Sequence, residues 1–181
     1  RLVGGRQIPA SRFHRVMDEA VLMRLADNKG REHVVCADLR ALGIEDYGAI
    51  RRYGHMQPVV NAPLELFVND EVYELAGYPN EGYIKLAHIV DPGSIPRSGD
   101  YSERGGIFEY TDPRHARWTG LNDIWVQGTF KYGYADDNVR VEWIDPQKHQ
   151  VKLAGEHLYG LEAGSAFQQY RVYNLLEELD R

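Results

Sequence analysis

A mostly β fold, a compact sandwich-like or barrel-like domain with one short N-terminal helix, is what this 181-residue sequence predicts. Three observations predict it. Short apolar or alternating segments recur with turn residues between them. Only one segment carries the full start and stop chemistry of a helix. Strands and helices do not alternate in the way that builds a parallel sheet. A chain of 20.7 kDa is large enough for one real core, because chains of this size bury about 70% of their unfolded surface. Residues 1–181 are therefore expected to form a single β-rich domain.

The helix opens at Asp18-Glu19, continues through Ala20, Val21, Leu22, Met23, Leu25 and Ala26, and stops at Asn28-Lys29-Gly30. Acidic residues at its start complement the helix dipole. A second helical turn is expected at 38–42, where Gly43 supplies the positive φ that ends it. Residues 33–37 read as a Val-rich strand with Cys36 as a small buried hydrophobe. Residues 64–68 and 71–75 alternate around Asn69-Asp70, the signature of a hairpin.

A further strand is expected at 83–90. The Gly/Pro/Ser-rich stretch 91–106 breaks the periodicity and reads as an exposed loop. Strands resume at 107–110, 124–132, 139–144, 150–153 and 167–174, and Asp145-Pro146-Gln147-Lys148 turns one hairpin. Ala135-Asp136-Asp137-Asn138 reads as an acidic hairpin turn.

The three tryptophans, Trp118, Trp125 and Trp143, share one β-patterned ribbon with Phe130, Tyr132 and Tyr134. Aromatic faces suit both sugar stacking and burial. Apolar residues alternate onto both faces of 124–130, the pattern of a sheet covered on both sides, so packing is the favoured role. Trp125 and Trp143 are expected to be largely buried. The candidate carbohydrate-binding residues are Trp118, Tyr132, Tyr134 and Asp136, with Trp118 the tryptophan to test, and Asn138 a further hydroxyl partner.

A formal charge of -6 without a basic stripe argues against nucleic acid as a partner. No apolar run approaches the ~20 residues that span a bilayer, and no membrane partner is expected. Cys36 is the only cysteine, so an internal disulfide and a thiolate metal cluster are excluded. The seven histidines show no i, i+4 pair, and no metal or other cofactor is expected. The serines sit in no nucleophile elbow. Gly4-Gly5 and Gly105-Gly106 lack the strand-to-helix context of a phosphate loop.

Asp136-Asp137 and Glu177-Glu178 are the carboxylate pairs that glycoside hydrolysis would call for. Neighbours on an extended strand point to opposite faces, so neither pair forms a dyad by itself. Both read as turn or surface acids, and no catalytic residue is assigned. The absence of a starting methionine and the abrupt end at Arg181 lead to the expectation of a segment from a longer protein.

Six blocks in succession, VVCADLRALGI (34–44), APLELFVN (62–69), LAGYPNEG (75–82), WVQGTFKYGYAD (125–136), VEWID (141–145) and YRVYNLLEELDR (170–181), carry a resemblance. Together they resemble the inserted β domain of right-handed parallel β-helix proteins related to glycoside hydrolase family 141. Two blocks depart from that pattern. Ala76-Gly77-Tyr78-Pro79 lacks an arginine the relatives tend to have, and Gly128-Thr129-Phe130-Lys131-Tyr132-Gly133-Tyr134-Ala135-Asp136 stands where they tend to read GYWxYDWAD.

The resemblance implies an insertion domain whose residues 166–181 form the junction to a β-helix outside this chain. It implies an extracellular or periplasmic, polysaccharide-degrading parent protein with catalytic acids on later coils. The implied partners are that β-helix and a polysaccharide or oligosaccharide. The implied role is to pack on the β-helix and hold the 91–106 loop beside the groove. An independent carbohydrate-binding module and a non-catalytic structural or adhesion protein are the alternatives.

Overall fold

The computed structural model describes residues 5–180. Arg1 and Arg181, and Gly4 of the Gly4-Gly5 pair, lie outside the described residues.

The chain opens with β1 (His14–Arg15), antiparallel to β2 (Val35–Cys36), with α1 (Glu19–Arg24) between them. The Asp18 carboxylate caps α1 by accepting from the Ala20 and Val21 amides. The helix ends at Leu25, ahead of the expected stop. The Asp27 carboxylate accepts from the Lys29 and Gly30 amides and draws that stretch into a separate turn. At 38–42 the chain makes a 3-10 turn, Arg40–Leu42, closed by Gly43 at φ 68. Cys36 is exposed rather than buried, because β1 and β2 form a two-stranded sheet with no layer over it.

β3 (Leu66–Val68) and β4 (Glu71–Tyr73) form the expected hairpin. Asn69 and Asp70 take φ of 54 and 67, as a type I′ turn requires. This hairpin stands apart from the main sheet.

The main sheet has eight strands, all antiparallel: β5 (Gly77–Tyr78), β6 (Ile84–Lys85), β7 (His88–Asp91), β8 (Ile107–Glu109), β9 (Trp125–Thr129), β10 (Asp136–Asp145), β11 (Gln150–Leu153) and β12 (Gln169–Tyr173). Its order is β5-β12-β9-β10-β11-β8-β7, with β6 also on β12. The ends at β5 and β7 do not meet, so there is no closed barrel. A sandwich-like arrangement is compatible with the pairing, because β10 joins β9 through its first half and β11 through its second.

Side chains from both parts meet in one core. Phe108, Val151 and Leu153 come from the β8–β11 side, and Val126, Phe130, Tyr170 and Val172 from the β9–β12 side. Each such side chain contributes roughly 1.5–3 kcal/mol of transfer free energy.

Two expected segments divide differently. The 83–90 strand breaks into β6 and β7, which pair with β12 and β8 respectively, so the chain changes neighbours around Leu86. The 91–106 loop is exposed at its tip but buried at its base. Ser94 there is fully buried, its hydroxyl accepting from the Arg104 amide at 2.8 Å.

Burial is uneven along the chain. Of the described residues from 5 to 76, only Leu25 is buried. Residues 166–180 form β12 and the 3-10 turn Leu176–Glu178, and the β-helix junction expected there is a proposal. No helix among the described residues is long and apolar enough to cross a membrane.

Candidate functional site

The β9–β10 connection builds an aromatic ledge. Phe130 and Ala135 are both fully buried and anchor the two ends of the connection. The Ala135 amide donates to the Tyr132 carbonyl at 2.9 Å, closing a turn that throws Tyr132 and Tyr134 outward. Their rings are parallel within 2°, centroids 5.6 Å apart, and 42% and 63% exposed. Tyr159, half-buried, meets both rings edge-on at 5.0 and 6.2 Å.

His55 completes the ledge, 5.4 Å from Tyr134 and 6.1 Å from Tyr159 between centroids. It arrives there because residues 53–55 take the free edge of β10. The His55 amide donates to the Asp136 carbonyl, and the Asn138 amide donates to that of Tyr53. Gly54 permits this approach. It pairs with Asp137 at φ 137, and a Cβ there would stand 2.5 Å from the Asp136 carbonyl oxygen.

Beneath the ledge lies a buried polar network. Asp137 Oδ2 accepts from Arg52 Nη2 at 2.7 Å and from His157 Nδ1 at 3.2 Å, with Asp137 and His157 each 2% exposed. Burial pushes the Asp137 pKa up, but the hydrogen bonds from His157 and Arg52 and the Arg52 charge together hold it below the usual carboxylate range. The Arg52 pKa is raised. Burial works against that, but the Asp137 and Glu156 carboxylates outweigh it. This network fixes the strand under the ledge and leaves Asp137 shut off from solvent.

The expected acidic turn is therefore corrected. Asp136, Asp137 and Asn138 are the first residues of β10, and the turn lies one step earlier, at 130–135. Asp136 is exposed beside the ledge. Asn138 is fully buried, donating to the Arg51 carbonyl and accepting from the Tyr173 hydroxyl, so no ligand hydroxyl reaches it.

Trp118 is also corrected. It is fully buried in the 3-10 helix Pro113–Trp118, packed 4.6 Å from His115 and 5.9 Å from Tyr78. Its Nε1 donates to Glu178 Oε1 at 2.7 Å, and Arg114 donates to the same carboxylate. A ring without a free face stacks no sugar. Glu177 and Glu178, read as surface acids, are 4% and 2% exposed and clasp Arg24 and Arg114.

Trp125 is buried as expected, but Trp143 is 38% exposed. A bulge between Val141 and Trp143 breaks the alternation of β10, so Glu142 and Trp143 both face outward.

The structure thus brings together Tyr132, Tyr134 and Asp136 and removes Trp118. Sequence reasoning missed His55 and Tyr159, which reach the ledge from positions about 80 residues before and 25 after it, in loops without a motif. Among the described residues, no group of three or more His, Cys, Asp or Glu is placed to hold a metal ion.

No protein-family model, no curated protein and no solved structure matches this chain.

Proposed function

We propose that this chain is a non-catalytic, β-rich domain of a secreted carbohydrate-active protein, packing on a right-handed β-helix of the same protein and shaping its polysaccharide groove. The observation that carries the reading is the unburied apolar belt of the N-terminal part. Phe67 and Val72, opposite each other on the β3–β4 hairpin, are 59% and 56% exposed, Leu64 and Leu75 at its two ends are exposed too, and Val59 is exposed earlier in the same segment. An isolated two-stranded hairpin is marginal in water, and exposed large apolar side chains gathered on one segment are the mark of an interaction site.

Next to the hairpin is an open groove of about 450 Å³ lined by Leu39, Tyr47, Ile50, Pro63, Leu64 and Leu75 among others. Belt and groove together offer a companion surface somewhere to set its own apolar side chains. Each side chain buried there stabilises the contact by roughly 1.5–3 kcal/mol before ordering costs.

The test is to express the β-helix encoded in the same reading frame as a separate piece and mix it with this chain. A one-to-one complex on size-exclusion chromatography is expected, lost with Phe67→Glu plus Val72→Glu. A reading frame without β-helix coils, or two pieces that elute apart, sinks the proposal.

A second reading has its own observation, the exposed parallel pair Tyr132 and Tyr134. The two rings stack on one another and Lys131 lies over Tyr132, so a pyranose face stacks on the outer face of Tyr134, and Asp136 accepts from a sugar hydroxyl. Saccharide titration of the 181-residue chain followed by NMR tests it. Perturbations confined to Tyr132, Tyr134, Tyr159 and His55 support it, and an unresponsive ledge across neutral and acidic saccharides refutes it.

A further inference from the structure

We infer that the ledge takes an acidic saccharide, a sugar bearing a carboxylate, and that Arg97 is the residue that recognises its charge. The inference rests on the saccharide reading of Tyr132 and Tyr134 and names the class of sugar.

The placement of Arg97 follows from the 91–106 loop. The 3-10 turn Pro96–Ser98 carries it, and the Arg97 amide donates to the Leu158 carbonyl at 3.0 Å. That bond fixes the turn one residue from Tyr159, the ring that backs both ledge tyrosines. Ile95 packs against Gly160 on the other side of Tyr159, where an added Cβ would meet it at 3.0 Å. The loop tip is thus pinned at both flanks of Tyr159. The Arg97 charge is felt at the Tyr134 hydroxyl, whose pKa is raised chiefly by its contact with Tyr159 while Arg97 pulls it down.

What sets Arg97 apart is that its charge is unspent. Arg52 is committed to Asp137 and Glu156, Arg104 to Asp91, and Lys131 to Glu162 at 3.0 Å while lying over the Tyr132 ring. Arg97 is exposed and stands in no ion pair with another described residue. A guanidinium carried on the turn next to Tyr159, behind the stacking rings, matches a uronate ring, whose face is apolar enough to stack and whose edge carries a planar carboxylate suited to a bidentate contact.

A neutral sugar would use the rings and leave Arg97 idle. An acidic one uses both. An exposed pair of this kind is worth up to ~1 kcal/mol, which is about a fivefold gain in affinity.

Calorimetric titration with trigalacturonate as the acidic probe and xylotriose as the neutral one, in 0.15 M salt, tests the inference. Trigalacturonate is expected to bind about fivefold more tightly. Arg97→Gln is expected to abolish that preference without changing xylotriose binding, and 1 M salt is expected to mimic it. Tyr134→Ala is expected to weaken both probes. Equal affinities in the native chain, or a preference that survives Arg97→Gln, overturns the role of Arg97 while leaving the ledge reading intact. Failure of both trisaccharides to bind overturns the ledge reading and the inference with it.

Discussion

Glu178→Ala tests the packing account at its most demanding point. The Glu178 side chain is 1% exposed and serves three donors: Arg114 Nε, Arg114 Nη2 and Trp118 Nε1. Truncation leaves the indole N–H buried without an acceptor, a cost of roughly 1–3 kcal/mol. It also strips Arg114 of its carboxylate, and breaking a buried pair costs about 3–5 kcal/mol. Arg114 is 32% exposed and can swing into water, so its share falls below that range. The two losses share one carboxylate and do not add.

The expected total is about 3 kcal/mol. With a urea m-value of ~2 kcal/mol/M, the unfolding midpoint moves down by roughly 1.5 M, followed by far-UV circular dichroism. Glu178→Gln keeps an acceptor for Trp118 and is expected to cost about half as much. Trp118→Phe combined with Glu178→Ala should show a coupling of ~1–2 kcal/mol, because the donor and its acceptor are then removed together. A Glu178→Ala cost under about 1 kcal/mol, or strict additivity in the double variant, refutes the claim that this carboxylate holds the C-terminal turn to the 3-10 helix Pro113–Trp118.

Three further outcomes are expected. Burial pushes the His115 pKa down to about 4, so stability is full above the unfolded value near 6.5 and is lost as pH falls toward 4, by at most ~3 kcal/mol; a pH series of urea midpoints should show that slope, and His115→Gln should flatten it. Gly54→Ala forces a Cβ onto the Asp136 carbonyl at positive φ and is expected to cost about 2 kcal/mol or more while displacing His55, read by calorimetric melting and the His55 NMR signals. Phe108→Ala, at a fully buried position, should cost about 3–5 kcal/mol, whereas Phe67→Ser on the exposed hairpin should stay within ~0.5 kcal/mol in the isolated chain; equal costs in denaturant unfolding would contradict the uneven burial.

Local chemistry made much of the fold legible. Asp18 before α1, Asn69-Asp70 between β3 and β4, and Asp145-Pro146 between β10 and β11 act on residues within a few positions, and sequence displays such contacts directly. The two misplaced tryptophans failed for non-local reasons. Trp143 faces outward because of one bulge residue, which shifts alternation without any compositional mark. Trp118 is buried because Glu178, 60 residues away, accepts its N–H. Cys36 failed through a burial assumption, since a Val-rich strand is buried only where another layer covers it. The site was half legible. Tyr132, Tyr134 and Asp136 lie close in sequence, but His55 reaches them through a backbone bond to β10 and a ring contact with Tyr134, and Tyr159 through its ring contacts with both tyrosines.

Apart from the buried Leu25, the long early segment is held to the rest of the chain by polar ties. Arg24 binds Glu177, Arg52 binds Asp137 and Glu156, and residues 53–55 extend the edge of β10. Such ties fix position with little net gain in stability, because each charge gives up hydration to form its pair. A segment positioned this way keeps its apolar side chains unspent, and Phe67, Val72 and Val59 remain in water. On the proposed reading the two halves then have separate tasks. The cored sheet holds the tyrosine ledge rigid, and the tethered belt reserves its hydrophobic free energy for the companion β-helix. That division makes a sharp demand on the ties: Arg52→Ala should loosen residues 53–55 and the belt together, raising amide exchange there while the β8–β11 core stays protected. Uniform exchange across both halves would mean that belt and core unfold as one unit and that the belt is not a tethered docking surface.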